Sequence, residues 1–120
     1  MAVGYLDTNI LIGYFAGDAG IMPVLERFEA LKLPALAYAE FMVGLKHAPQ
    51  RQAAIKIIDA LFEIVHTDTA ICQKAAELRR EARLNMPDAL IYATAHANGG
   101  TLITRDRDFN IGVEDIYLPD

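Results

Sequence analysis

What the chain is short of narrows its class first. A single cysteine, Cys72, cannot close an intramolecular disulfide, and that points to a reducing compartment, so a cytoplasmic protein is expected. No uncharged apolar run approaches the ~20 residues that cross a bilayer, and no membrane association is expected. The amino terminus, MAVGYLDTN, lacks a basic n-region and meets Asp7 too early for a signal peptide. There is no internal repeat, low-complexity tract or linker. Cations are also scarce: 11 Lys plus Arg stand against 16 acids, a net charge of −5. At face value this argues against bulk electrostatic binding of nucleic acid. Four of those acids, singled out below, account for most of the imbalance, and divalent cations among them would reverse the local sign.

The 120 residues suffice for one core, so residues 1–120 read as a single domain. Hydrophobic residues make up 53% of the chain, which excludes disorder. A mean hydropathy of +0.20 is high for a small monomer and suggests apolar surface buried against a partner.

Along the chain, residues 3–6 suit a short buried strand that ends at Asp7. DTNILIGYF follows as a helix capped by Asp7 or Thr8. A turn at 17–20 leads to a helix in PVLERFEALK, with Val24, Leu25, Phe28 and Leu31 inward. Residues 33–36 read as a second strand and 37–48 as a helix stopped by Pro49. Residues 51–62 form an amphipathic helix and 63–66 a third strand. Thr67-Asp68 then caps a helix reaching about residue 84. Strands alternate with helices throughout, which predicts an α/β fold, a parallel β-sheet sandwiched by helices.

Residues 87–109 organise the rest. A helix over 88–98 is roughly 16 Å long, and a strand over 101–105 climbs about the same distance back. Asp88 and Asp106 should therefore finish on one edge of the sheet, the carboxyl edge where open α/β folds place their sites. Asp7 and Glu40 share that address, and Asp108 is a possible fifth. Taken singly, Asp7 and Asp106 read as caps, and Asp88 as an anion favoured by its helix dipole. Glu40 is harder to explain so, because its helical neighbours are Leu36, Ala37, Val43 and Gly44. No lysine or arginine lies within five positions of it. A carboxylate on so apolar a surface calls for a cation. Oxygen ligands without a Cys/His pattern select Mg²⁺ or Mn²⁺, and clustered carboxylates with such ions suit phosphodiester hydrolysis. The histidines, His47, His66 and His96, fit no ligand motif.

The motifs LDTNILI, AEFMVGL, PDALIYATA and TLITRDRDF together resemble those of PIN-domain ribonucleases, most of all the VapC toxins of bacterial and archaeal toxin–antitoxin pairs. The likeness covers essentially the whole chain. It implies a metal-dependent endoribonuclease whose catalytic and metal-binding quartet is Asp7, Glu40, Asp88 and Asp106. It implies supporting hydroxyls on Thr8 and Thr104, Mg²⁺ or Mn²⁺ as cofactor, and homodimerisation. It further implies inhibition by a small VapB-like antitoxin that occupies the acidic groove. Family members usually carry Ser or Thr shortly before the glutamate, where this chain has Ala35-Leu36-Ala37-Tyr38. The last motif offers both Asp106 and Asp108, of which Asp106 is favoured.

For RNA contact, Arg105 and Arg107 flank the acidic turn and could reach phosphates on either side of the scissile bond. Arg79, Arg80 and Arg83 make a basic patch, with salt bridges to Glu77 and Glu81 as its ordinary reading. Two other functions compete. A catalytically inactive PIN-fold scaffold would bind without cutting. A phospho-receiver domain needs a lysine at its last strand, and none follows Lys74.

Overall fold

The computed structural model describes residues 3–119. Its centre is β1 (Val3–Leu6), whose Tyr5 and Leu6 are buried. Asp7 ends the strand and caps α1 (Thr8–Phe15) by accepting the Thr8 amide. The sheet has five strands in the order β3-β2-β1-β4-β5, every pair parallel. In register, Tyr5 lies between Lys32 of β2 (Ala30–Pro34) and Leu102 of β4 (Thr101–Ile103). With helices packed against this sheet, the α/β expectation holds. No helix is long and apolar enough to cross a membrane.

Several boundaries move by a few residues, as at the ends of the helix Thr69–Glu81 and of β4, and two of the shifts have a visible cause. The helix expected over PVLERFEALK is a short α2 (Ile21–Leu25), and the chain is extended again from Ala30. Val24, Leu25 and Phe28 are buried as the spacing demands. However, β1 has a free edge whose amides and carbonyls need partners, and residues 30–32 supply them. The pairing overrides helical periodicity. The second shift follows from Pro34 and Pro49. Pro34 closes β2, so α3 (Ala35–Val43) starts two residues earlier than expected and ends at Gly44. Pro49 stops nothing. It sits in the first turn of α4 (Ala48–Leu61), where a missing N–H is no loss.

After β3 (Glu63–Val65), the Asp68 side chain accepts the Ile71 amide and opens α5 (Thr69–Glu81). The 82–85 linker turns the chain into α6 (Met86–Ala97), which packs along α5. Gly99 stops α6 at φ +69°, and a Cβ on Gly100 would collide with the Tyr5 ring. Past β4 the chain makes a 3₁₀ turn over Arg107–Phe109 and ends in β5 (Ile116–Tyr117). The carboxyl ends of β1, β2 and β4 thus lead directly into the segments that carry Asp7, Glu40 and Asp106.

Candidate active site

Asp7 is the anchor. It is 5% exposed, and both of its carboxylate oxygens are engaged. Oδ1 accepts from the Thr8 amide at 2.7 Å, and Oδ2 from Thr104 Oγ1 at 2.6 Å and Asn9 Nδ2 at 3.2 Å. Burial raises its pKa against the opposing pull of these donors, and the charges of Glu40 and Asp106 raise it further.

Thr104 is fully buried and ties two segments together. Its hydroxyl donates to Asp7 and accepts from the Asp106 amide at 3.0 Å and from Asn9 Nδ2 at 3.3 Å. Asn9 completes the tie, since its Oδ1 accepts the Arg105 amide at 3.1 Å. Sequence reasoning passed over Asn9. The signal was present in the DTN triplet, whose third residue faces the turn after β4 through helix α1's first turn.

Glu40 corrects an expectation. It lies on the exposed side of α3, with Ala37 and Phe41 on the buried one. The desolvation argument for a cation therefore does not apply to it. Its Oε1 accepts from Thr8 Oγ1 at 2.6 Å. Thr8 thereby orients the glutamate in a chain whose 35–38 stretch offers no hydroxyl but that of Tyr38.

The case for a cation moves to Asp88. It stands half-buried in the first turn of α6, where Asn85 Oδ1 accepts its amide at 2.9 Å. Its pKa is pushed up to about 6, first by burial and then by the charges of Asp7, Asp106, Glu40 and Asp108. Five carboxylates thus share one field. Asp88, Asp106 and Asp108 each bring an oxygen within 4.8 Å of the others. Two oxygens opposite each other on a Mg²⁺ ion are roughly 4.2 Å apart, so small side-chain rotations would bring these three onto one ion. Asp106 and Asp108 both reach this group, and the Asp108 amide donates to Asp106 Oδ1 at 2.9 Å. Asp7 and Glu40 lie outside it, though their charges act on Asp88. Among the described residues, none of the five forms an ion pair.

The two nominated arginines differ. Arg105 Nη1 is bound to Asp18 Oδ2 at 2.6 Å, and this contact with the α1–α2 turn holds the Asp18 carboxyl below its usual range. Arg107 is exposed, with no carboxylate partner among the described residues.

A family profile described as the PIN domain matches residues 4–111. No curated protein matches the chain. Solved structures do. One chain of a toxin–antitoxin complex from Klebsiella pneumoniae is 31% identical, with a TM-score of 0.89 and 98% of each chain covered. VapBC2 from Rickettsia felis, bound to a DNA fragment from its promoter, gives 22% identity and a TM-score of 0.82 over 98% of this chain and 99% of that one. FitAcB from Neisseria gonorrhoeae gives 22% and 0.79 over 99% and 98%.

Proposed function

Because the chain belongs to the PIN-domain family, we propose that it is a divalent-metal-dependent endoribonuclease, the toxin of a toxin–antitoxin pair. The observation that carries this reading is the uncompensated negative charge around Asp88. Membership of the family removes the phospho-receiver alternative. The donor set is all hard oxygen and suits Mg²⁺ or Mn²⁺, with Asp88, Asp106 and Asp108 to hold it and Asp7 and Glu40 beside them. When bound, such an ion supplies a Lewis acid that polarises a phosphate and makes water a stronger nucleophile.

The chain's own residues set the spacing. Thr104 fixes the Asp7 carboxylate and the Asp106 turn with one hydroxyl, so acids from two strands keep a common geometry. Thr8 performs the same service between Asp7 and Glu40. Arg107 is free to meet a phosphate. Arg105 meets one only by exchanging Asp18 for it.

An antitoxin has a place to sit. A groove of about 420 Å³ lies between α1, α3 and α4, lined by Ile12, Phe15, Phe41, Leu45, Ala54 and Ile57. Ile12, Phe41 and Leu45 also border Glu40, so a segment lying in the groove would run onto the acidic site. The likeness to a toxin–antitoxin complex supports that occupant. Val43, Met22 and Leu61 are exposed outside this groove and leave apolar surface for a homodimer, which sedimentation would detect.

The purified protein should cut RNA only with Mg²⁺ or Mn²⁺ and leave 5′-phosphate ends. Asp7→Asn and Asp88→Asn should each abolish cleavage in a folded protein. Activity that survived either change would refute the assignment, and metal binding without cutting would favour the inactive scaffold.

A further inference from the structure

We infer that Arg105 is a positioning residue for the turn that carries Asp106 and Asp108, acting through its bond to Asp18 rather than on the substrate. The inference rests on the divalent-metal reading above and names what holds two of the acids at the spacing an ion needs.

The turn is pinned at both ends. At one end Phe109 is buried in the core. At the other, Asn9 Oδ1 accepts the Arg105 amide at 3.1 Å, and the Arg105 side chain reaches Asp18. Asp106 and Asp108 stand between these pins, and both belong to the trio with Asp88. Arg107 and Asp108 are exposed, so the middle of the turn has little packing of its own. Although five acids lie nearby, the one carboxylate that Arg105 pairs with among the described residues is Asp18, past the end of α1.

Asp18 is set to receive the arginine. Its amide donates to the Gly13 carbonyl at 3.0 Å, and its Oδ1 accepts the Gly20 amide at 2.8 Å. Asp18 thus keeps its place by bonds that do not involve Arg105, and Oδ2 accepts Arg105 Nη1 at 2.6 Å. The guanidinium lies close over both glycines. A Cβ on Gly13 would stand 3.6 Å from Nη1, and one on Gly20 3.5 Å from Nη2.

Global stability is not what such a bond chiefly serves. Both side chains are about one-third exposed, at 33% and 37%, and a pair so exposed adds little to folding. A metal site asks for more, because its ligand distances must hold within about 0.2 Å. Groups that orient ligands from behind typically change metal affinity ~10–100-fold. The field of Arg105 acts in the opposite direction, since a cation beside the acids repels Mn²⁺. Removing it should tighten binding if charge alone matters and weaken binding if position does.

The test is calorimetric titration with Mn²⁺ on wild type, Arg105→Ala, Arg105→Lys, Asp18→Ala and the double variant Asp18→Ala/Arg105→Ala, with thermal melts and amide exchange in EDTA. Each single alanine variant should bind Mn²⁺ ~10-fold more weakly with Tm within a few degrees of wild type. The double variant should be no worse than either, because both changes break one bond. Arg105→Lys keeps a cation for Asp18 and should recover most of the affinity. In EDTA the Asp108 and Phe109 amides, which donate to Asp106, should exchange faster in both alanine variants. Mn²⁺ binding by Arg105→Ala as tight as wild type, or tighter, would overturn the inference. So would cleavage in which Arg105→Ala raises KM while Asp18→Ala, by freeing the arginine, lowers it. A wild type that takes up Mn²⁺ and cuts no RNA would refute the endoribonuclease reading alone, and one that takes up no Mn²⁺ would overturn both.

Discussion

The two ends of α6 hold acids in opposite circumstances. At its first turn, Asp88 is half-buried among four other carboxylates, and burial first and then their charges push its pKa up to about 6. Near its last turn, Tyr92 and His96 both bond to Asp115, the residue before β5. Burial works against the Asp115 charge, but these bonds outweigh it and hold the carboxyl below its usual range, while burial and the Asp115 bond push the Tyr92 phenol up. The helix dipole favours an anion at the Asp88 end by about 0.3–1 kcal/mol, yet the Asp88 pKa rises. Burial, with the neighbouring charges behind it, outweighs the dipole at Asp88. The paired acid clips the carboxy-terminal strand to α6. The unpaired one has no cationic side chain against it among the described residues.

Variants at the two ends should therefore fail in different ways. The largest effect is expected from Asp88→Asn, which should cut kcat by at least ~100-fold in an RNA cleavage assay while leaving circular dichroism unchanged. Asp115→Asn should do the reverse. It weakens hydrogen bonds to a charged group and should cost about 1.5–3 kcal/mol in denaturant unfolding, with cleavage near normal under native conditions. If Asp115→Asn lost activity without losing stability, the division between the ends would be wrong.

Thr104→Val lies between these cases. It removes the hydroxyl that joins Asp7 to the Asp106 turn, so it should lower stability by about 1–3 kcal/mol and cleavage as well. An isosteric loss that left cleavage intact would show that the Thr104 bonds position nothing.

The smallest effect is the most diagnostic. Asp88 has a raised pKa when folded, so the unfolded chain ionises more readily. Without metal, stability should fall as pH climbs from the ordinary 3.8 towards about 6. For Asp115, held low, the contribution is present above the ordinary carboxylate range and lost as pH falls from there through the lowered folded value. In EDTA at pH 7.5, Asp88→Asn should thus be more stable than wild type, by about 1 kcal/mol, or a few degrees in Tm. Saturating Mg²⁺ should erase that advantage, because binding stabilises only the chain that binds.

How far the sequence could be read follows from what each signal measures. The first strand and helix are legible because a short apolar run meets a capping acid, and the structure keeps both boundaries. The α6–β4 unit is legible for the same reason, with glycines to stop the helix. Residues 23–32 are not, since helical spacing at Val24, Leu25 and Phe28 is real but the free edge of β1 lies far away in sequence. Proline is ambiguous in the same way: a breaker at the end of one helix is equally a starter for the next. At the site, Asp7, Glu40 and Asp106 do follow strand ends as the sequence suggests, but Asp88 opens a helix that follows another helix, and who bonds to whom is not readable. Asn9 and Asp18 act through contacts about 90 positions away in the chain, with Thr104 and Arg105. Exposure is equally unreadable for Glu40, whose apolar neighbours lie on the other side of the helix.

Calorimetric titration with Mn²⁺ at neutral pH, on wild type and on an Asp88→Asn/Asp106→Asn variant, tests the central claim most directly. The account predicts saturable uptake by the wild type that disappears in the variant. No uptake by the wild type, or the same uptake by both, would contradict it.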